Sequence, residues 1–196
     1  MADWNSGETA RKWRPGILLA VAVIVILGLA GLLVYAGAYN IGADSPHTAP
    51  VFALLDVVQT RSVAVRAAGI AVPADLADPK RIAAGAGLYN EMCSGCHLGP
   101  GTERTEISLG LYPAAPEFNR EMDLTPAEEF WVIKHGIKMT GMAAWGKTHS
   151  DELIWDMVAF LQKMPTLSAA QYALAIKNAP QDHDEMMKGM KMDGPK

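Results

Sequence analysis

The residues with the clearest chemical purpose lie together: Cys93-Ser94-Gly95-Cys96-His97. Two thiols three residues apart sit on one side of a helical turn. They can add to the two vinyl groups of a single porphyrin, and the imidazole that follows can reach its iron from the proximal side. A Cys-x-x-Cys-His run therefore reads as covalent haem attachment. The alternatives need more than the chain offers. A thioredoxin-like dithiol wants a preceding strand and a β-α alternation. A zinc site wants two further Cys or His at suitable spacing. The chain has only these two cysteines, and a disulfide would make no use of His97.

The elements that position this motif follow from pattern. Pro79 opens a helix predicted to run to about Cys93. Glu103 to Asp123, broken by Gly110, Pro113 and Pro116, reads as an irregular loop. Thr125-Pro126-Ala127-Glu128 is a helix start, with Thr125 as N-cap, Pro126 in the first turn and Glu128 as the returning carboxylate. That helix carries Phe130, Trp131 and Ile133 and should stop at Gly136. Asp151 to about Lys163 places Leu153, Ile154, Met157, Val158 and Leu161 on one face. No persistent strand pattern occurs, so the expected class is all-α.

With these elements in place, residues 79–165 resemble the class I cytochromes c. Gly85, Tyr89 and Cys93 are spaced four apart and line one helix face. In the family, a glycine and an aromatic precede the first cysteine, and a C-terminal helix packs an aromatic against that glycine; Met157-Val158-Ala159-Phe160-Leu161 resembles that stretch. The resemblance implies one covalent haem c, close helix crossing at Gly85, and contact of Tyr89 with the haem region. It also implies a methionine as second axial ligand, in an extended loop after a helix. Gly136 to Gly146 looks like that loop, and Met142 occupies the matching place, with Ala143 where proline is usual. Met139 is the runner-up; Met122, Met157, Met164, His135 and His149 are the remaining donors downstream, with Met157 read as core. The family's proline carbonyl that accepts the proximal imidazole N–H has three candidates, Pro100, Pro113 and Pro116, of which Pro113 is preferred. Trp145 is expected near a haem propionate. A His/Met set raises the reduction potential and suits single-electron transfer rather than catalysis.

The rest of the 196 residues places this domain. Residues 1–16 form a polar tail. Ile17 to Tyr39 carries no charge over about 23 residues, ~34 Å as a helix, enough to span a bilayer. Its length exceeds the apolar core of a signal peptide. Arg11, Lys12 and Arg14 precede it, with Trp13, Tyr35 and Tyr39 at its ends. The basic flank predicts a cytoplasmic N-terminus and a periplasmic haem domain on a bacterial inner membrane. Residues 40–79 read as a connector. Ser45-Pro46 is a possible helix start, and Val51, Leu54, Leu55 and Val58 recur at helical spacing. This helix is expected to pack on its own domain or lie on the membrane; docking to a larger membrane complex is the other reading.

Residues 166–196 supply a helix and then a tail with His183, Met186, Met187, Met190 and Met192. Those thioethers and that imidazole suit Cu(I), so the tail is a candidate copper site. Net charge is −4, which disfavours a generic nucleic-acid binder. Acidic residues cluster between Glu103 and Glu129, whereas Lys134, Lys138 and Lys147 surround the methionine loop and could steer an acidic partner. The expected function is a membrane-tethered electron carrier between a respiratory donor and acceptor. The alternatives are a fixed haem-relay subunit of a membrane redox complex, and a haem-ligand or copper-binding protein.

Overall fold

A computed structural model describes residues 6–118 and 123–180, with side chains from residue 15 onward. Among these residues the secondary structure is entirely helical. The chain divides into two compact units, Met1–Ser45 and Pro46–Lys196.

In the first unit, helix α1 runs Ser6–Tyr35. Its stretch Pro15–Tyr35 is 21 residues long and apolar enough to cross a membrane. The helix begins earlier than the apolar run and ends before Tyr39, because Gly37 takes a left-handed φ of +61° just past the last turn.

The second unit contains the remaining helices: α2 (Ala49–Ala67), α3 (Pro79–Met92), α4 (Ser94–His97), α5 (Glu106–Gly110), α6 (Pro126–His135), α7 (Asp151–Lys163) and α8 (Ala169–Asn178). Short 3-10 turns lie at Trp145–Lys147 and Met164–Thr166. The principal packing is α3 against α7. It is set by Gly85: a Cβ there would lie 2.9 Å from the Phe160 Cβ and would overlap the Asp156 carbonyl. The crossing buries Leu88, Tyr89, Ile154, Met157, Val158 and Phe160. At its edge Arg81 of α3 pairs with Asp156 at 2.8 Å, Glu152 at 2.9 Å and Asp75 at 2.9 Å. This tethers the approach to α3 onto α7.

Each helix start has a local cause. Asp78 caps α3, its carboxylate accepting from Lys80 N at 2.7 Å. Thr125 and Glu128 form the capping box expected from sequence at α6. Ser150 caps α7. Two expectations change. Ser45-Pro46 does not start α2; Thr48 stands before its first residue and Pro50 enters its first turn. The loop from Glu103 to Asp123 contains the short α5, because Thr105 and Ser108 form a second capping box.

Helix α2 packs on α6 through its C-terminal half, where Val63 and Ala67 are buried. Its N-terminal half is bare. Phe52, Leu54, Leu55, Val57 and Val58 are exposed there, with Asp56 among them.

Candidate haem-binding site

The α3 helix carries the motif to the core edge. Tyr89 is fully buried, and its hydroxyl donates to the carbonyl of Leu98, just past the motif. Burial, then the neighbouring Cys93 and Tyr172, raise the Tyr89 pKa, so the hydroxyl keeps its proton for that bond. Tyr89 thus braces the loop from behind, a role its sequence position did not specify. Cys93 ends α3 and begins the turn of α4, with the amides of Cys96 and His97 both donating to its carbonyl. The two thiols are half-buried and unbonded. Burial, with Cys96 adding to it, pushes the Cys93 thiol up to about 12. A redox dithiol needs the opposite shift, toward thiolate. The absence of strands among the described residues also argues against a thioredoxin-like site.

His97 Nδ1 lies 2.8 Å from the carbonyl oxygen of Pro116. This corrects the preference for Pro113. The run that follows Pro113 lays the Pro116 carbonyl against the imidazole instead. An Nδ1–H held on a backbone carbonyl leaves Nε2 free to ligate. Burial lowers the His97 pKa and the Pro116 bond opposes that shift; the neutral imidazole is the ligating form. Phe118 stacks on the ring at 4.6 Å between centroids and meets Tyr89 edge-on at 6.3 Å. The sequence reading did not single out Phe118. Thr105 was missed as well: its hydroxyl donates to the Gly95 carbonyl, tying α5 to the motif.

The loop after α6 carries the candidate methionines. Gly136 ends that helix at φ +64°, where a Cβ would meet the backbone of Met142 and Ala143 at 2.7 Å. The Ile137 amide donates to the Met142 carbonyl at 3.2 Å. Thr140 closes the loop, donating to the Ile137 carbonyl and accepting from the Met142 amide at 3.1 Å. These bonds take over the restraint that a proline at position 143 would supply. Met142 packs against the core cluster, whereas Met139 is 88% exposed. Met157 and Met164 are core residues, both essentially without exposure. His135 is exposed beside Trp131, and His149 is buried with a ring nitrogen 2.9 Å from the Thr148 hydroxyl. Trp145 is half-buried and meets His149 edge-on. Met122 and the candidate copper tail lie outside the described residues.

The motif thus offers two thiols on one turn and an imidazole with one nitrogen already committed. It fits a c-type haem, whose attachment consumes both thiols and whose iron takes nitrogen and sulfur ligands. Among the described residues no group of three or more His, Cys, Asp and Glu converges as a metal site would require.

Residues 80–161 match the family described as cytochrome c oxidase, cbb3-type, subunit III. This stretch is a class I c-type cytochrome domain. No curated protein and no solved structure matches the chain. The cytochrome domain starts one residue into α3 and ends within α7, so the match includes the α3–α7 crossing. Such a domain supports haem-based electron transfer. The apolar helix α1, the connector helix α2 and the C-terminal α8 lie outside the matched residues.

Proposed function

We propose that the protein is a membrane-tethered carrier of single electrons. One haem c is held through Cys93 and Cys96, with His97 and Met142 as axial ligands. The observation that carries this reading is the hold of the Pro116 carbonyl on His97 Nδ1, directly after the two thiols; Met142 packs against the core while Met139 faces solvent.

When bound, the haem supplies an iron couple that gains and loses one electron. The chain's own groups do the rest. Cys93 and Cys96 fix position by thioether bonds. Pro116 orients the imidazole of His97 and raises its basicity. Met142 offers a soft donor that favours ferrous iron. The core around Tyr89, Phe118 and Phe160 excludes water. Lys138 and Lys147 remain for an acidic partner, whereas Lys134 is engaged with Asp151 at 2.6 Å.

The apolar stretch Pro15–Tyr35 supports tethering. Arg11, Lys12 and Arg14 support a cytoplasmic N-terminus and a periplasmic domain on a bacterial inner membrane. The test is intact mass after acid denaturation, followed by potentiometric titration of the purified full chain. The expected result is a mass one haem above the polypeptide and a one-electron wave. Apoprotein mass, with pigment extractable into organic solvent, would overturn the proposal.

A second reading is favoured by two observations: the family description names an oxidase subunit, and the N-terminal half of α2 leaves Phe52, Leu54, Leu55, Val57 and Val58 exposed. In it the chain is a fixed subunit, with α2 in contact with other membrane components. Purification in mild detergent distinguishes the two: a stoichiometric partner favours the subunit, and its loss in a Leu55→Glu/Val58→Glu variant would assign the contact to α2. Copper capture by the tail from His183 to Met192 remains a separate proposal on composition. Equal Cu(I) affinity with and without residues 181–196 would reject it.

A further inference from the structure

Helix α8 lies beyond the matched family segment and rests on the loop that carries the proximal histidine. The buried ring of Tyr172 covers Gly99: a Cβ added there would lie 2.6 Å from its Cε1 and 2.7 Å from its hydroxyl oxygen. One turn earlier, Ala169 covers Gly101, where an added Cβ would lie 2.5 Å from the Ala169 Cβ. Gly101 also needs its glycine for φ +79°. These two glycines follow His97 by two and four positions, so the backbone leaving the ligand has no side chain between it and α8.

The helix is held at both ends. Ser168 and Gln171 form a capping box at its start. Beyond its last turn, Ala179 and Pro180 close on Gly87 of α3, where an added Cβ would lie 3.4 Å and 2.9 Å from them. Behind Tyr172 stands Phe160, with ring centroids 6.3 Å apart. On the motif side, Tyr89 holds the Leu98 carbonyl. The run from Leu98 to Gly101 is therefore gripped between a tyrosine of α3 and a tyrosine of α8.

We propose that α8 is a latch that positions the proximal ligand: Tyr172 and Ala169 clamp the 98–101 loop and so keep the His97 imidazole on the Pro116 carbonyl. Tyr172 is a positioning residue acting through the loop. The inference rests on the reading of His97 as haem ligand, and its test separates the two.

Full-length protein in detergent is compared with Tyr172→Phe, Tyr172→Ala, Gly99→Ala, the Gly99→Ala/Tyr172→Ala double variant and Ala169→Gly. Intact mass reports whether haem is attached, and so judges the haem reading alone. Backbone hydrogen exchange over residues 94–101 and the low-spin ferric electron-paramagnetic signature report the latch. Tyr172→Ala is expected to raise exchange there about tenfold or more and to shift the signature. Tyr172→Phe should stay close to the parent, because the ring makes the contact. Gly99→Ala should disturb the loop, and the double variant should disturb it less than the single change. Ala169→Gly alters an exposed residue, keeps the fold and should raise exchange about threefold. Unchanged exchange and signature in Tyr172→Ala, or strictly additive effects in the double variant, would overturn the latch. If Tyr172→Ala yields no folded protein, unaltered exchange in Ala169→Gly does so.

Discussion

Gly85 and Phe160 meet where α3 crosses α7, at a separation that leaves no room for a Cβ on Gly85: the atom would lie 2.9 Å from the Phe160 Cβ and inside the Asp156 carbonyl. The obstacle on the α7 side is partly backbone, which cannot rotate away. Gly85→Val is therefore expected to force the helices apart and cost about 3 kcal/mol or more. Thermal melting of the haem-loaded protein measures this. A melting temperature equal to the parent's would show that the crossing tolerates a wider spacing.

The two methionines of the 136–146 loop make opposite predictions. Met142→Ala is expected to abolish the long-wavelength absorption band of a thioether–ferric bond, lower the reduction potential and open the site to carbon monoxide. Met139→Ala, at an exposed position with φ +61°, should leave all three unchanged. Absorption spectroscopy with potentiometry reads both. The reverse pattern would move the ligand to Met139.

Thr125→Ala removes the hydroxyl that accepts from the Glu128 amide at 3.3 Å and weakens the start of α6. The expected loss is about 1 kcal/mol, seen as a lower denaturation midpoint with unchanged spectra. A spectral change would mean that α6 transmits more to the methionine loop than its packing implies.

Glu129 of α6 is 5% exposed and accepts from the Gln162 side chain at 2.8 Å. Burial raises its pKa from 4.5 to about 7, and the Gln162 bond partly offsets that rise. A carboxyl with a raised folded-state pKa binds its proton more tightly in the fold. Its stabilising contribution is complete below about pH 4.5 and is lost as pH rises through about 7. The expected loss across that window is up to about 3 kcal/mol. Glu129→Gln should flatten this slope and be the more stable form at pH 8. Denaturant titrations at pH 5 and pH 8 check the sign. Equal slopes for parent and variant would place the carboxyl in a more solvated setting.

Much of the site was legible in local pattern. Cys93, Cys96 and His97 fall within five residues, so bringing them together needs only a helical turn. The cap of α6 depends on residues three apart and was readable for the same reason. The α5 turn was missed because Thr105 and Ser108 form a capping box of a less common composition, within a stretch dominated by Gly and Pro. The choice of Pro116 over Pro113 could not be read at all. Both are prolines with carbonyls in an irregular segment, and only the path of the chain around His97 selects one. Tyr89 is similar: its spacing placed it on the right helix face, but its bond to Leu98 depends on how the chain turns after His97.

By itself, the amino-acid order determined that this chain is helical, that it carries an apolar segment long enough for a bilayer, and that two thiols and an imidazole share one turn. These are consequences of periodicity and short-range spacing. The tertiary structure alone decided which proline faces His97, which methionine turns inward, and that Tyr172 of a helix outside the matched segment lies over Gly99. Those contacts join residues between 19 and 73 positions apart. At such separations no local rule fixes which pairs meet; within the second unit the close crossing at Gly85 does, by setting where α6 and α8 have space to pack.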